Sequence, residues 1–158
     1  MNKRQALKKI ADSRQAFLET IAGLNEDGYT QVPVEGVWNI KDLVAHIESW
    51  EMACVIPLRG YACGGKFAPE KIPDHDAWNN QNALVWQAKP LQTVLEEFLT
   101  TRAELLELVE SLPVELWSKQ LNLPWGECAT LVEMLSGLAW HEDEHRRPIQ
   151  EWRVREKH

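Results

Sequence analysis

Residues 131–152 read LVEMLSGLAWHEDEHRRPIQEW, and this stretch decides the fold. Leu131, Leu135, Leu138, Ala139 and Ile149 keep to three- and four-residue steps, the period of one helix face. Thr130 and Glu133 are spaced as a capping box at the helix start. His141 and His145 stand four apart, so both rings leave neighbouring turns on one side. Two imidazoles turned toward a helical core are candidate metal ligands. A pair alone also fits ordinary packing, so a third donor on a facing helix is required. Pro148 removes a backbone donor and is expected to kink the helix just past His145.

Residues 37–51, VWNIKDLVAHIESWE, supply that donor. Asn39 caps a second helix, and Asp42 places negative charge at its positive end. Ile40, Leu43, Val44, Ile47, Cys54 and Leu58 form its buried side. His46 lies at the edge of that side, and Glu51 follows Ile47 by four.

The remaining chain is also helical by pattern. Asn2, with Gln5 three residues on, caps a first helix that reaches Leu24. Its apolar stripe includes Ile10, Phe17 and Ile21 and carries Arg14 within it. Residues 25–37 read as a loop. Residues 59–76, rich in glycine and proline, read as a long connection able to act as a binding loop or lid. A connection this long allows the next major helix to run parallel to its predecessor. Asp74 or Asp76 caps a short helix, AWNNQNALVWQ (77–87), with Trp78, Asn79 and Asn82 on one side. That side is either exposed or facing a polar cavity, because buried Asn needs partners. Pro90 opens a third long helix to about Glu110, with Arg102 inside its stripe. One helical turn is expected around Glu115–Trp117, and no strand anywhere. These patterns predict an all-α four-helix bundle over 1–158, one domain, with a crossover loop and a short extra helix between helices 2 and 3.

The 158 residues suit one domain with a proper core. A net charge of −7 disfavours nucleic-acid binding. No apolar run approaches the ~20 residues of a membrane span, and residues 1–15 lack a signal-peptide core. Cys54, Cys63 and Cys128 form no paired framework, which fits a reducing cytoplasm. Each is read as a small core or loop residue. Eight tryptophans suit a bundle core or a cleft wall, and surface Trp117 or Trp125 offers a route to a homodimer.

Three imidazoles with one open coordination position match a catalytic-type site rather than a closed structural one. Such a site accepts zinc, nickel, iron or copper, with zinc or nickel first. Glu142 lies on the buried stripe beside the ligands and is the candidate base or orienter. Arg14, Arg102 and Glu51 also point inward, and burying any one alone costs several kcal/mol. They either pair with Glu142 and each other as structural ions or support the ligand rings. Trp50 and Trp78, with Asn79 and Asn82, complete the expected substrate pocket.

Several of these segments resemble a known group. WNIKDLVAHIESWE and WHEDEHRRPI resemble the second-helix and last-helix motifs of the DinB/YfiT-like superfamily of bacterial four-helix bundles. Residues 72–113, with Trp78-Asn79 and Asn82 before a long helix, resemble the middle of its ClbS/DfsB branch. The resemblance covers nearly the whole chain. It implies an up-down-down-up bundle and a divalent metal on His46, His141 and His145. The activities it implies are varied and include thiol-dependent transfer or isomerisation, using mycothiol or bacillithiol, and, in the ClbS branch, hydrolytic self-protection against a reactive cyclopropane toxin. The acidic run Glu142-Asp143-Glu144 departs from the pattern expected of the toxin-resistance branch.

Three functions follow as expectations. The first is a metal-dependent hydrolase or thiol-dependent transferase acting on a small electrophilic molecule. The second is a non-catalytic bundle that sequesters a metal or small molecule. The third is a bundle whose histidines serve packing alone.

Overall fold

The protein is described by a computed structural model covering residues 1–156. Its helices are α1 (Lys3–Ile21), α2 (Glu26–Thr30), α3 (Ile40–Ala62), α4 (His75–Gln87), α5 (Leu91–Ser111) and α6 (Leu131–Glu156). A 3-10 turn spans Val114–Ser118.

Local chemistry sets the helix starts. Asn2 and Asn39 each form reciprocal capping boxes, with Gln5 and Asp42 respectively. Thr130 and Glu133 do the same for α6, through Thr130 N to Glu133 Oε2 at 2.8 Å and Glu133 N to Thr130 Oγ1 at 3.3 Å. Asp74, rather than Asp76, caps α4. α6 passes through Pro148 without ending.

The long helices α1, α3, α5 and α6 form a four-helix bundle. Cross-helix contacts fix their directions. Lys41 meets Lys89, Glu48 meets Thr101, and Arg59 meets Glu104, so α3 and α5 run in the same sense. Ser136 meets Met1, Ser13 meets Glu142, and Arg153 meets Thr20, so α1 and α6 also run together. Ala6 and Ile10 pack with Cys54 and Leu58, whereas Ile21 packs with Ile40, which sets α1 against α3. The order is up-down-down-up.

The apolar core falls into two clusters. One gathers Ile10, Leu58, Leu105, Leu131, Met134 and Leu135. The other gathers Phe17, Ile40, Leu43, Ile47, Phe98 and Ile149. Each large aliphatic or aromatic side chain fully buried here contributes about 1.5–3 kcal/mol. Between the clusters lies a layer of buried charge, made by Arg14, Glu51, Arg102 and Glu142.

The structure departs from the sequence expectations in several places. Residues 25–37 contain the short helix α2, because Asn25 accepts from Gly28 N and caps it. α3 continues through Pro57 to Ala62, which shortens the crossover. Leu121–Asn122 and Cys128–Ala129 form a two-residue antiparallel ladder where no strand was expected. Gly126, at φ 95°, supports the turn that joins them. Trp117 is 4% exposed and packs into the core, so it offers no surface for self-association. Among the described residues, no helix is long and apolar enough to cross a membrane.

Candidate metal centre

His46 of α3 and His141 and His145 of α6 converge at one point. One ligand nitrogen from each lies within 4.8 Å of the other two. His46 Nε2 and His141 Nε2 are 2.9 Å apart, and His145 Nε2 is 3.1 Å from His141 Nε2. A tetrahedral ion with ~2.0–2.1 Å nitrogen bonds wants its donors about 3.3 Å apart, close to this spacing.

The donor set fits a cation. His145 Nδ1 is 2.7 Å from Glu35 Oε2, so the carboxylate holds the ring proton on Nδ1 and leaves the Nε2 lone pair facing inward. Three imidazole nitrogens then meet at one point, where a shared positive charge would satisfy all three. Protons are poorly suited to supply that charge. Burial first, then His141 and His145, push His46 down to about 2. Burial, then His145, pushes His141 down to about 3. Neutral imidazoles are the form that binds a metal.

Glu35 is the functional residue that sequence reasoning missed. It sits on the α2–α3 connection, tied by a bridge between Glu35 and Trp38. Glu35 N donates to Trp38 O at 3.2 Å, and Trp38 N donates to Glu35 O at 2.9 Å. The Trp38 ring packs 4.8 Å from that of His46 and 6.5 Å from that of His145. The short connection therefore positions both a carboxylate and an aromatic wall.

The other predicted site residues divide into two places. Trp78, Asn79 and Asn82 of α4 line a narrow slot with His46, Trp38 and Asp42. Trp50 supports that wall: its Nε1 donates to Asn79 Oδ1 at 3.0 Å, and its ring lies 4.5 Å from Trp78. His75, expected in a loop, opens α4 and packs edge-on to Trp50 at 5.3 Å.

Arg14, Glu51, Arg102 and Glu142 lie instead in the buried layer. Arg14 Nε donates to Glu142 Oε1 at 2.5 Å, and its Nη2 to Glu51 Oε1 at 2.9 Å. Arg102 donates to Glu51 and, at 3.3 Å, to Glu142. Ser13 Oγ completes Glu142, donating to Oε2 at 2.6 Å. Helical geometry explains the division. At ~100° per residue, Glu51 lies about 140° around α3 from His46, and Glu142 lies about 100° around α6 from His141. Glu51 Oε2 is buried without a partner among the described residues. Cys54 is fully buried, and burial pushes its thiol up, which disfavours the thiolate a nucleophile needs.

Comparison with known proteins places this architecture. The DinB superfamily family model matches residues 9–149, most of the chain. The chain belongs to the DinB superfamily.

No curated protein matches this DinB-superfamily chain. Solved structures do. The mycothiol-dependent maleylpyruvate isomerase superposes with a TM-score of 0.80 at 12% identity, over 94% of this chain and 61% of the isomerase. This chain thus spans about three fifths of that enzyme. An uncharacterised protein from Escherichia coli UTI89 gives 0.81 at 14% identity, covering 99% of this chain and 95% of that one. YfiT from Bacillus subtilis, described as a probable metal-dependent hydrolase with an unusual four-helix bundle topology, gives 0.74 at 16% identity, covering 99% and 90%. At these identities the likeness concerns the fold.

Proposed function

We propose that this DinB-superfamily protein is a metal-dependent enzyme that turns a water or a low-molecular-weight thiol against a small electrophile, in a detoxifying or self-protecting role. The observation that carries the reading is the convergence of three imidazoles, one of them oriented by Glu35. The descriptions of YfiT as a probable metal-dependent hydrolase and of the isomerase as mycothiol-dependent support the same chemistry. The ClbS/DfsB-like segment around Trp78 and Asn82 favours the hydrolytic version.

His46, His141 and His145 would hold the ion, with zinc or nickel suiting the nitrogen set. A divalent cation supplies Lewis-acid polarisation and makes a bound nucleophile more acidic. Glu35 keeps the proton of His145 on Nδ1. Trp38 and Trp78 exclude bulk water from the slot beside His46, and Asn79 and Asn82 offer amide groups to orient a polar substrate atom. We assign Glu142, the sequence candidate for a base, to holding α1 against α6, because both its oxygens are engaged by Arg14, Arg102 and Ser13.

The test is metal content and turnover of the purified protein. About one divalent ion per chain is expected, lost in His46→Ala. Saturation at ~100 Kd adds about 2.7 kcal/mol, and hence about 5–10 °C in Tm at ~2–4 °C per kcal/mol. The loaded protein should consume styrene oxide or p-nitrophenyl acetate, alone or with bacillithiol. Unchanged melting after chelation, with equal metal content in His46→Ala, would overturn the site.

A further inference from the structure

Beside the slot at His46 lies a second space, and Trp86 Nε1 donates to Ser49 Oγ at 2.8 Å between the two. Ser49, Trp78, Asn82 and Trp86 line the slot and also line this larger cavity of about 390 Å³. The cavity is an open groove that extends along α3 as far as Pro57, bordered by α4, α5 and the segment before α4. From His46 to Met52 on its wall is about 9 Å along the helix at ~1.5 Å per residue.

Its lining has a marked chemistry. Glu48, Glu70 and Glu97 stand against one cation, Lys89. Met52, Ile56 and Trp78 provide apolar walls. Glu48 is only 2% exposed, and its Oε1 accepts from Thr101 Oγ1 at 2.9 Å. Its other oxygen takes no hydrogen bond among the described residues, and no cation pairs with it. A buried carboxyl with a free acceptor on a cavity wall is costly unless a ligand or water meets it. The same wall already takes an ammonium group: Lys89 Nζ rests 3.8 Å from the centre of the Trp86 ring.

We propose that this cavity is a binding site beside the centre and selects an amphipathic primary amine. The ammonium group meets Glu48 and Glu97, and the apolar body lies along Met52, Ile56 and Trp78, with the Ser49–Trp86 pair between it and the slot beside His46. The inference rests on the small-molecule reading above for its chemistry, but the binding preference is measurable without turnover.

The experiment is calorimetric titration with 2-phenylethylamine, 2-phenylethanol and phenylacetate, on protein as purified and after chelation. Chelation removes any contribution from an amine lone pair on the metal. The amine is expected to bind at least about tenfold more tightly than the alcohol, as hydrogen bonds to charged groups allow. Phenylacetate should bind more weakly than either. Glu48→Gln and Glu97→Gln should each reduce the preference for the amine. Glu97 is only partly buried, so its variant remains informative if Glu48→Gln does not fold. Equal binding of alcohol and amine, or an amine preference unchanged in Glu97→Gln and in any folded Glu48→Gln, would overturn the inference. Metal uptake with no amine preference would defeat this inference alone. An amine preference in a protein that takes up no metal would defeat the metal reading alone.

Discussion

Glu35 Oε2 lies 2.7 Å from His145 Nδ1, although 110 residues separate them. The carboxylate fixes the tautomer and plane of a ring whose other nitrogen points at His141. Glu35→Gln is therefore expected to lower metal affinity by about 10–100-fold, the usual cost of losing a carboxylate behind a ligand imidazole. Chelator competition measures it. Melting of the metal-free protein should change little, because Glu35 is partly exposed. Undiminished affinity would show that the bond does not orient the ring.

Glu142 offers a separate measurement on the buried layer. Glu142→Ala leaves Arg14 and Arg102 with less compensation inside the bundle, and a loss of about 3–5 kcal/mol is expected in denaturant unfolding. Arg14→Met should also destabilise. The double variant should lose less than the two single losses added, with a coupling of about 1–3 kcal/mol. Additive losses would mean that the two residues do not act as a pair.

Stability should depend on pH through Glu48. Burial first, with Glu97 across on α5 and Glu51 on the same helix, pushes its carboxyl up to about 7 from 4.5, against the pull of Thr101 and Lys89. A raised folded value means that the native state holds the proton longer than the unfolded chain. The stability tied to that proton is complete below about 4.5 and is lost as pH rises through about 7. Glu48→Gln, which does not titrate, should remove this loss. It should gain on the order of 2–3 kcal/mol over the parent at pH 8 relative to pH 4.5, read from paired denaturant curves. A pH-independent difference between the two proteins would contradict the burial argument.

Trp50 carries a prediction about the slot. Its indole N–H holds Asn79, so Trp50→Phe should keep the bundle folded while freeing the Asn79 amide. Substrate affinity should fall with metal content unchanged. A fall in metal content would place Trp50 in the ligand framework instead.

Much of this arrangement is legible along the chain because helices advertise themselves by period. Ile10 to Ile21, Ile40 to Leu58, and Leu131 to Ile149 each mark one buried face, and His46, His141 and His145 stand at fixed offsets from those faces. Arg14, Glu51, Arg102 and Glu142 are visible as ions set in apolar stripes, and their mutual pairing follows from the cost of leaving any of them alone. Glu35 is different. It lies in an irregular segment with no period, between Pro33 and Gly36, and its role depends on where the α2–α3 connection is pinned. Trp117 misleads for a similar reason. A short turn gives no stripe from which to read inside and outside, so only the packed structure places its ring against the core. The two-residue ladder at Leu121 and Cys128 is too short for alternation to reveal it.

The charged layer between the two apolar clusters also acts as a ruler. Oily helix faces can slide past one another by a turn, about 5.4 Å, and still find oily partners. Arg14 and Arg102 cannot shift that far without losing their carboxylates, so the layer gives the four rods a single permitted alignment. That alignment sets α3 and α6 at the height where His46 stands opposite His141.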